Sequence, residues 1–551
     1  HVQLQQQLCQ NLFLYTFFPF NFVSLFIIIN VMSFPVFRHT ISKLREVLVE
    51  DSDKISFLIK YDPIIAYLIF QEVNKPCSKT EITNFSQMVN YIGTKKIEQI
   101  IIERDLFLEV EDLHIWVYGI LSAEICSLIA EKFSHIHRDE AFFVGLLPCL
   151  GLLFMMNDFP KYRNIIHFLV KLPLEDRVFL EESVFGTNHI DTLKRNIICP
   201  PFKEVVNILN RMFPKDGQKE IKTSVPQRGS TLQSFYDMAL LSDLASYGAQ
   251  ALMFPSVVDN RELFLELAKR YFRVKESDSL EILQNAMDRF ISIAQEFNIL
   301  EEIQLSTEKV YQLRKFRFET KNPVFANMLK NLFEENAKDR NIFIYGERAV
   351  GKRLLAAALY TADDNPRREK PFVMIFCDIE EETLEEEFFG IKEGYFGKKG
   401  KKGVLKHAEG GTLVIKEFDA MPGDFQDKFQ KAIQNGKFYR VGDITPVEFP
   451  DIKFILVGKE DIRIKVAKGE FSGNLLKLLN PVFFRILPLR ERREDVFYIA
   501  NEIVKKYNLN IEDRLAQPEI IEKLKTDPFP NNLRDLKRFL FLLYIQKILK
   551  P

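Results

Sequence analysis

The sequence predicts a multidomain chain in which an all-α region is followed by an α/β region built on a parallel sheet. Residues 34–297 carry apolar side chains at three- and four-residue spacings with few glycines, which is typical of packed helices. From residue 323 onward, short apolar runs alternate with helical patterns, which indicates parallel strands covered by helices. The segment IFIYGERAVGKR, ending at Arg353, combines a strand, a glycine-containing turn and a helix start, an order suited to binding phosphate.

Composition limits the classes of protein that the chain can belong to. Its 551 residues suffice for about three or four domains of roughly 150 residues. Lysine and arginine number 75 against 76 acidic residues, so nothing global favours nucleic acid or a membrane surface as partner. The six cysteines are scattered without a C-x-x-C pair, which indicates reduced thiols of a cytoplasmic protein rather than disulfides or a zinc site.

The first 31 residues are interpreted separately from the rest. Residues 12–32 are almost continuously apolar and long enough to span a bilayer, but Pro19, Asn21 and Asn30 interrupt them. A secretory signal would require a positively charged start, but no lysine or arginine precedes this stretch. MSFPVFRHTISKL, starting at Met32, reads as a natural beginning, so we interpret residues 1–31 as upstream sequence, with a membrane anchor as the alternative.

The helical region carries several short motifs in a recognisable order. DP stands at residues 62–63, SQMVNYIG ends at Gly93, IWVYGILSAEICSLIA contains Trp116, and FGTNH ends at His189. Together with DEAFFVGLLPCLGLLF, these segments resemble the HD-related output domain (HDOD), a bacterial signalling module. Pro148 and Cys149 stand where the family carries a His-Asp pair. Because a proline cannot ligate a metal, we expect a metal-free sensor or scaffold domain without phosphohydrolase activity.

The glycine-containing turn is the candidate nucleotide site. Gly346, Gly351 and Lys352 can form a phosphate cradle in which the lysine reaches the outer phosphates. Glu347 and Arg353 belong to the same loop and helix start. Arg348 and Val350 replace the usual small residues, which we expect to crowd the cradle. The cofactor expected here is ATP or ADP, bound weakly and without a requirement for Mg²⁺.

The second half of the chain resembles the AAA+ domain of sigma-54-dependent transcription activators. The similarity runs through the loop, FVMIFCDIEEETLEEEFFG, HAEGGTLVIKEFDAMPGDFQDKFQKAIQNGKFYRVG, LPLRERREDVFYIANEIV and FPNNLRDL. It implies an α/β P-loop AAA+ domain followed by a small helical lid. We therefore predict five segments: residues 1–31, a helical HDOD-like domain at 32–300, a connector at 301–322, the AAA+ α/β domain at 323–488 and its lid at 489–551.

The departures from this family bear on its chemistry. The aspartate of the acidic strand that holds magnesium is replaced by Lys416, and only the neighbouring glutamate remains, as Glu417. A lysine can supply positive charge but cannot coordinate the ion. The Thr-Asn that ends the sensor strand is replaced by Gly458 and Lys459, and Ser472 and Leu478 replace both inter-subunit arginines. The lid arginine is kept as Arg534.

The loop that contacts the sigma factor in this family is also altered. Its GAFTGA motif reads GYFGKK here. We predict a partner loop made of Gly394, Tyr395, Phe396, Gly397, Lys398 and Lys399. We interpret the neighbouring lysines as those of a solvated mobile loop, with an acidic or nucleic-acid partner as the alternative. The resemblance further implies signalling or transcription proteins as partners, sigma-54 RNA polymerase among them, and a homo-oligomer. We expect no DNA-binding domain of the chain's own, since the sequence ends soon after the lid.

Three functions remain open from sequence. The first is a signalling protein that binds nucleotide without hydrolysing it, with Glu417 as a residual but inactive catalytic glutamate. The second is a working ATPase that remodels sigma-54 polymerase. The third is an interaction scaffold that has lost nucleotide binding as well. No structural metal is expected in any of them.

Overall fold

The computed structural model divides into two compact units, residues 1–308 and 309–551. The segments that the structure describes are residues 40, 43, 52–73, 85–93, 95–97, 113–133, 136–197, 200–212, 231–254, 258–274, 276–297, 299, 317–378, 381–395 and 400–550. The apolar segment predicted at residues 1–31 lies outside them. The predicted domain boundaries, including the connector at 301–322, stay predictions.

The described part of the first unit is helical, as predicted. Its helices are α1 (Ser52–Lys60), α2 (Pro63–Val73), α3 (Phe85–Ile92), α4 (Leu113–Ala130), α5 (Arg138–Asp158), α6 (Ile166–Leu169), α7 (Leu174–Phe185), α8 (His189–Asn196), α9 (Pro200–Met212), α10 (Thr231–Met253), α11 (Val258–Phe272) and α12 (Glu276–Glu296). Helices α4 and α5 form the centre of this unit, and α10 packs against both of them.

Helices α4 and α5 are apolar on all sides because other helices surround them. By length and composition both could cross a membrane, but 89% of the apolar window of each is buried inside the unit. Close approach between them depends on Gly145, where an added Cβ would lie 2.5 Å from the Cα of Ala123. Trp116 is also buried here, and its indole N–H donates to the carbonyl of Tyr61 at 2.8 Å.

The second unit is a parallel sheet with helices and a helical lid, which confirms the predicted fold class. Its strands are β1 (Ile342–Tyr345), β2 (Phe372–Phe376), β3 (Gly390–Ile391), β4 (Lys401–Lys402), β5 (Thr412–Lys416), β6 (Lys437–Tyr439), β7 (Pro446–Glu448), β8 (Lys453–Gly458) and β9 (Val482–Arg485). The main sheet has the order β2-β5-β8-β1-β9 with all neighbours parallel. β3 pairs with β4 and β6 with β7, both antiparallel.

The helices of the second unit cover the sheet and build the lid. They are α13 (Pro323–Ala337), α14 (Lys352–Thr361), α15 (Glu381–Phe389), α16 (Val404–His407), α17 (Gly423–Asn435), α18 (Ile462–Ala467), α19 (Gly473–Leu479), α20 (Arg493–Tyr507), α21 (Glu512–Leu515), α22 (Pro518–Thr526) and α23 (Leu533–Leu549). The four apolar runs expected to be strands are β1, β2, β5 and β8. The fifth strand of the sheet, β9, was not predicted.

Parallel strands bring their carboxyl ends to one edge of the sheet. The turn after β1, Lys416 at the end of β5 and Gly458 at the end of β8 therefore meet at that edge. The candidate nucleotide site lies there.

Candidate nucleotide site

The loop after β1 leads directly into α14, so Lys352 stands in the first turn of a helix. Its ammonium group donates to the carbonyl oxygens of Gly346 and Glu347, the latter at 2.8 Å. Burial lowers the pKa of Lys352, while the carboxylates of Glu417 and Asp419 act to raise it. The lysine thus closes the loop on itself and is positioned where an anion could replace the carbonyl contacts.

Three successive carbonyl groups of the loop are held from the lid side. The side chain of Asn532 donates to the carbonyl of Arg348 at 3.0 Å, and the N–H of Leu533 donates to that of Ala349 at 3.2 Å. The guanidinium group of Arg492 donates to the carbonyl of Val350 at 2.9 Å. Because a trans peptide points its C=O and the following N–H in opposite directions, the next N–H groups are turned away from these donors. Such an arrangement suits an anion cradle.

Glu347 links the loop to the start of the lid. Its carboxylate accepts two hydrogen bonds from Arg490, one of them at 2.7 Å, and one from Asn532 at 3.2 Å. The bonds from Arg490 lower the pKa of Glu347 to about 2. Glu347 therefore stays ionised at neutral pH and ties loop and lid together. Sequence reasoning included Glu347 but missed Arg490, Arg492 and Asn532, whose partners in the loop are more than 140 residues away.

Glu417 is paired with Lys459, a contact that was not predicted from the sequence. The ammonium group of Lys459, just beyond β8, lies 2.9 Å from Oε2 of Glu417. The backbone N–H of Lys459 donates to the carboxylate of Asp419 at 3.2 Å. Burial raises the pKa of Asp419. Glu417 has a left-handed backbone, with φ of 51°. One lysine thus contacts both carboxylates nearest to Lys352.

Lys416 turns away from the loop. Its ammonium group lies 4.1 Å from the ring centroid of Phe376, the last residue of β2. In the sheet, β2 neighbours β5 on the side opposite β8 and β1. The lysine therefore makes a cation–π contact where a metal-binding strand would present a carboxylate.

Magnesium, which this fold class implies, does not fit these residues. Mg²⁺ needs oxygen ligands, usually one or two carboxylates and phosphate oxygens. Lys416 offers none, Glu417 is paired with Lys459, and the carboxylate of Asp419 accepts from the backbone N–H of Lys459. Among the described residues, no group of three or more metal-binding side chains comes together.

The two residues at the positions of the inter-subunit arginines have local roles. Ser472 caps α19 by accepting from the N–H of Leu475 at 3.2 Å, and its hydroxyl donates to Gln430 at 2.9 Å. Leu478 is 40% exposed. Arg353 is half-buried in the first turn of α14, and Arg534 is exposed in the first turn of α23. The role of Arg353 and Arg534 as nucleotide contacts stays a prediction.

Only the base of the predicted partner loop falls within the described residues. Gly394 has φ of +81°, and the ring of Tyr395 lies against Gly442 beyond the β6 strand. Residues 396–399, which hold Phe396, Gly397, Lys398 and Lys399, lie outside the described segments. Lys392 lies 3.6 Å from Asp443 and Lys406 2.6 Å from Glu409, so part of the basic cluster is ion-paired.

The helical unit buries polar side chains where an HD-type metal site would need exposed ligands. Pro148 lies inside α5, and burial raises the pKa of the Cys149 thiol. Nδ1 of His189 lies 2.6 Å from the carboxylate of Glu181, which also accepts from Tyr162. All three of these hydrogen-bonded side chains are buried. His189 thus supports the packing of α7 against α8.

Comparisons with known proteins match both halves of the chain. A family model described as the HDOD domain matches residues 32–192, and one described as the sigma-54 interaction domain matches residues 318–485. The chain therefore joins an HDOD domain to a sigma-54 interaction domain, as the sequence motifs predicted. The helices α9, α10, α11 and α12 lie beyond the HDOD match, although α10 packs against its two central helices.

Curated relatives are similar over part of their length. The DNA-binding transcriptional regulator NtrC of Salmonella typhimurium is 33% identical over 220 residues, which is 39% of this chain and 46% of that protein. The response regulator protein PilR of Pseudomonas aeruginosa is 35% identical over 208 residues, 37% of this chain and 46% of PilR. The chain thus spans about half the length of the curated relatives it matches.

A solved structure of NtrX from Brucella abortus in complex with ATP also matches. It is 22% identical, covers 50% of this chain and 60% of NtrX, and has a TM-score of 0.39.

Proposed function

We propose that this chain is a bacterial signalling protein of the transcription-regulation type whose P-loop binds ATP or ADP without hydrolysing it. In this account it is a cytoplasmic pseudo-ATPase, and its HDOD domain serves as a metal-free sensor or scaffold. Sigma-54 RNA polymerase is the partner that the interaction domain favours. The NtrX structure contains ATP, but the proposal depends on the residues of this chain.

One observation carries the proposal. The loop keeps its phosphate-binding lysine, Lys352, whereas strand β5 ends in Lys416 where a metal-binding aspartate would stand. Lys352 is placed to contact phosphate, which supports binding. Lys416 cannot ligate Mg²⁺, and the ammonium group of Lys459, 2.9 Å from Oε2 of Glu417, competes with water for that carboxylate. In P-loop enzymes the metal and the water-orienting group supply most of the catalysis, so their loss removes turnover and leaves binding.

Nucleotide occupancy would act through the contacts between loop and lid. The carbonyls of Arg348, Ala349 and Val350 are bonded from residues near the lid, and Glu347 is paired with Arg490. A phosphate bound in the loop changes the charge next to these contacts, and the position of the lid can respond. A ligand shifts such an equilibrium only by its difference in affinity for the two lid positions.

The test combines titration of the full chain with labelled ATP and measurement of phosphate release. We expect saturable binding that Lys352→Ala weakens by at least about tenfold, or about 1.4 kcal/mol. Lys431→Met, which removes an exposed lysine of α17, is the matched control and should bind as the unmodified chain does. We expect no phosphate release above background.

Two outcomes would overturn the proposal. Phosphate release that disappears in Glu417→Gln would identify a working ATPase. Absence of nucleotide binding in the folded chain would leave the scaffold function.

A further inference from the structure

Lys459 lies beside both carboxylates of this site, Glu417 and Asp419. Its ammonium group lies 2.9 Å from Glu417, and its backbone N–H donates to Asp419 at 3.2 Å. Both carboxylates are within electrostatic reach of Lys352, as are Lys416 and Lys459. The ammonium group of Lys459 thus offsets the charge of Glu417, and its backbone N–H is bonded to Asp419.

The balance of charge at this edge of the sheet differs from that of a metal-dependent site. Lys352 lies within electrostatic reach of two carboxylates, on Glu417 and Asp419, and of two further ammonium groups, on Lys459 and on Lys416, which lies over the ring of Phe376. These five side chains sum to one positive charge before any ligand enters, which favours an anion without a metal.

We propose that the nucleotide site selects the metal-free nucleoside polyphosphate, with Lys459 supplying the countercharge that Mg²⁺ would supply elsewhere. This inference rests on the proposed nucleotide binding and names the form of the ligand. The terminal phosphate contacts the ammonium group of Lys459, which remains next to Glu417. Lys352 holds the adjoining phosphate at the loop.

Magnesium then becomes a competitor rather than a cofactor. Complexation by Mg²⁺ removes two negative charges from the polyphosphate, which weakens its attraction to Lys352 and Lys459. It also brings a divalent cation toward lysines instead of toward carboxylates, and like charges at such distances repel. Added Mg²⁺ should therefore lower the affinity for ATP.

The experiment is isothermal titration of the full chain with ATP, once in excess EDTA and once in excess Mg²⁺ at matched ionic strength. We expect binding about three- to tenfold tighter in EDTA, a difference of about 0.7–1.4 kcal/mol. Lys459→Met should lose most of this preference by weakening the binding measured in EDTA. Lys459→Arg keeps the charge and should keep the preference, and Lys431→Met should behave as the unmodified chain.

The outcomes separate this inference from the proposed function. ATP binding that Mg²⁺ strengthens would overturn the inference and leave nucleotide binding intact. No binding in either buffer would overturn both. Equal affinity in the two buffers would also overturn the inference. The comparison on the unmodified chain decides this without any variant, so a variant that fails to fold does not affect the result.

Discussion

At the scale of single residues, the charges of Lys416 and Asp243 affect the groups packed around them. Lys416 ends strand β5 and places a cation over the ring of Phe376. Asp243 lies in α10 of the other unit, is 8% exposed, and its Oδ1 has no hydrogen-bond partner. Burial, followed by the charge of Glu175, raises the pKa of Asp243 to about 7, although Arg177 opposes the shift. Both residues carry chemistry that composition alone would not reveal.

Replacing Asp243 should remove a pH dependence from the stability of the helical unit. Its folded pKa of about 7 exceeds the ordinary value of 3.8, so the folded state binds the proton more tightly. The free energy of unfolding should therefore fall as pH rises from about 4 to about 7, by on the order of a few kcal/mol. Asp243→Asn, which has no proton to lose, should flatten this slope and be more stable than the unmodified chain above pH 7.

The measurement is urea unfolding of the full chain between pH 4.5 and 8, followed by tryptophan fluorescence. Trp116 is the single tryptophan of the sequence and is buried in this unit, so its emission reports on the helical unit alone. Asp237→Asn, on the same helix, is the matched control and should keep the slope. An unchanged slope in Asp243→Asn would show that another group titrates.

At the scale of elements, the packing of α4 against α5 depends on Gly145. Its backbone does not have a positive φ, so the glycine is needed for lack of space and not for its conformation. An added Cβ at Gly145 would lie 2.5 Å from the Cα of Ala123 and 2.7 Å from the carbonyl oxygen of Ser122. Both are backbone atoms of a neighbouring helix, so the helices would have to move apart. At Gly248 of α10, the nearest atom is instead the end of the Ile125 side chain, at 2.8 Å.

We therefore expect the two glycines to differ on substitution by alanine. Gly145→Ala should lower the free energy of unfolding by about 2 kcal/mol or more, because backbone atoms cannot yield as a rotamer can. Gly248→Ala should change it by less than about 1 kcal/mol, since the gain in helix propensity offsets the local crowding. Urea unfolding monitored by Trp116 fluorescence compares the two variants. Equal losses would mean that the closeness of α4 and α5 does not limit stability.

The sequence predicts those strands whose own residues form a clear apolar pattern. The strands β1, β2, β5 and β8 are continuous apolar runs and were predicted. β9 contains Phe484, which is buried, but Phe483 is only half-buried and Arg485 is exposed. This mixed pattern on an edge strand gave no clear signal. The pairs β3–β4 and β6–β7 are two or three residues long and have no periodicity to detect.

At the scale of the whole molecule, motif order was enough to predict the combination of domains, but not the contacts within the site. Loop glycines and Lys352 are close in sequence, so their spacing carries information. Lys459 reaches Glu417 across 42 positions, and Asn532 reaches the loop across more than 180. Such pairs arise only when parallel strands and the lid bring distant segments to one edge of the sheet. Substitutions visible in the sequence predict lost chemistry, and the structure adds that Lys459 lies beside Glu417.

The central claim is that ammonium groups have displaced a divalent ion from this site, and binding of Mn²⁺ measures that directly. The full chain, saturated with ADP, is titrated with Mn²⁺ while electron paramagnetic resonance follows the free ion. The account predicts no more bound Mn²⁺ than ADP alone retains, with no change in Glu417→Gln. Stoichiometric Mn²⁺ held by the protein, and released by Glu417→Gln, would contradict it.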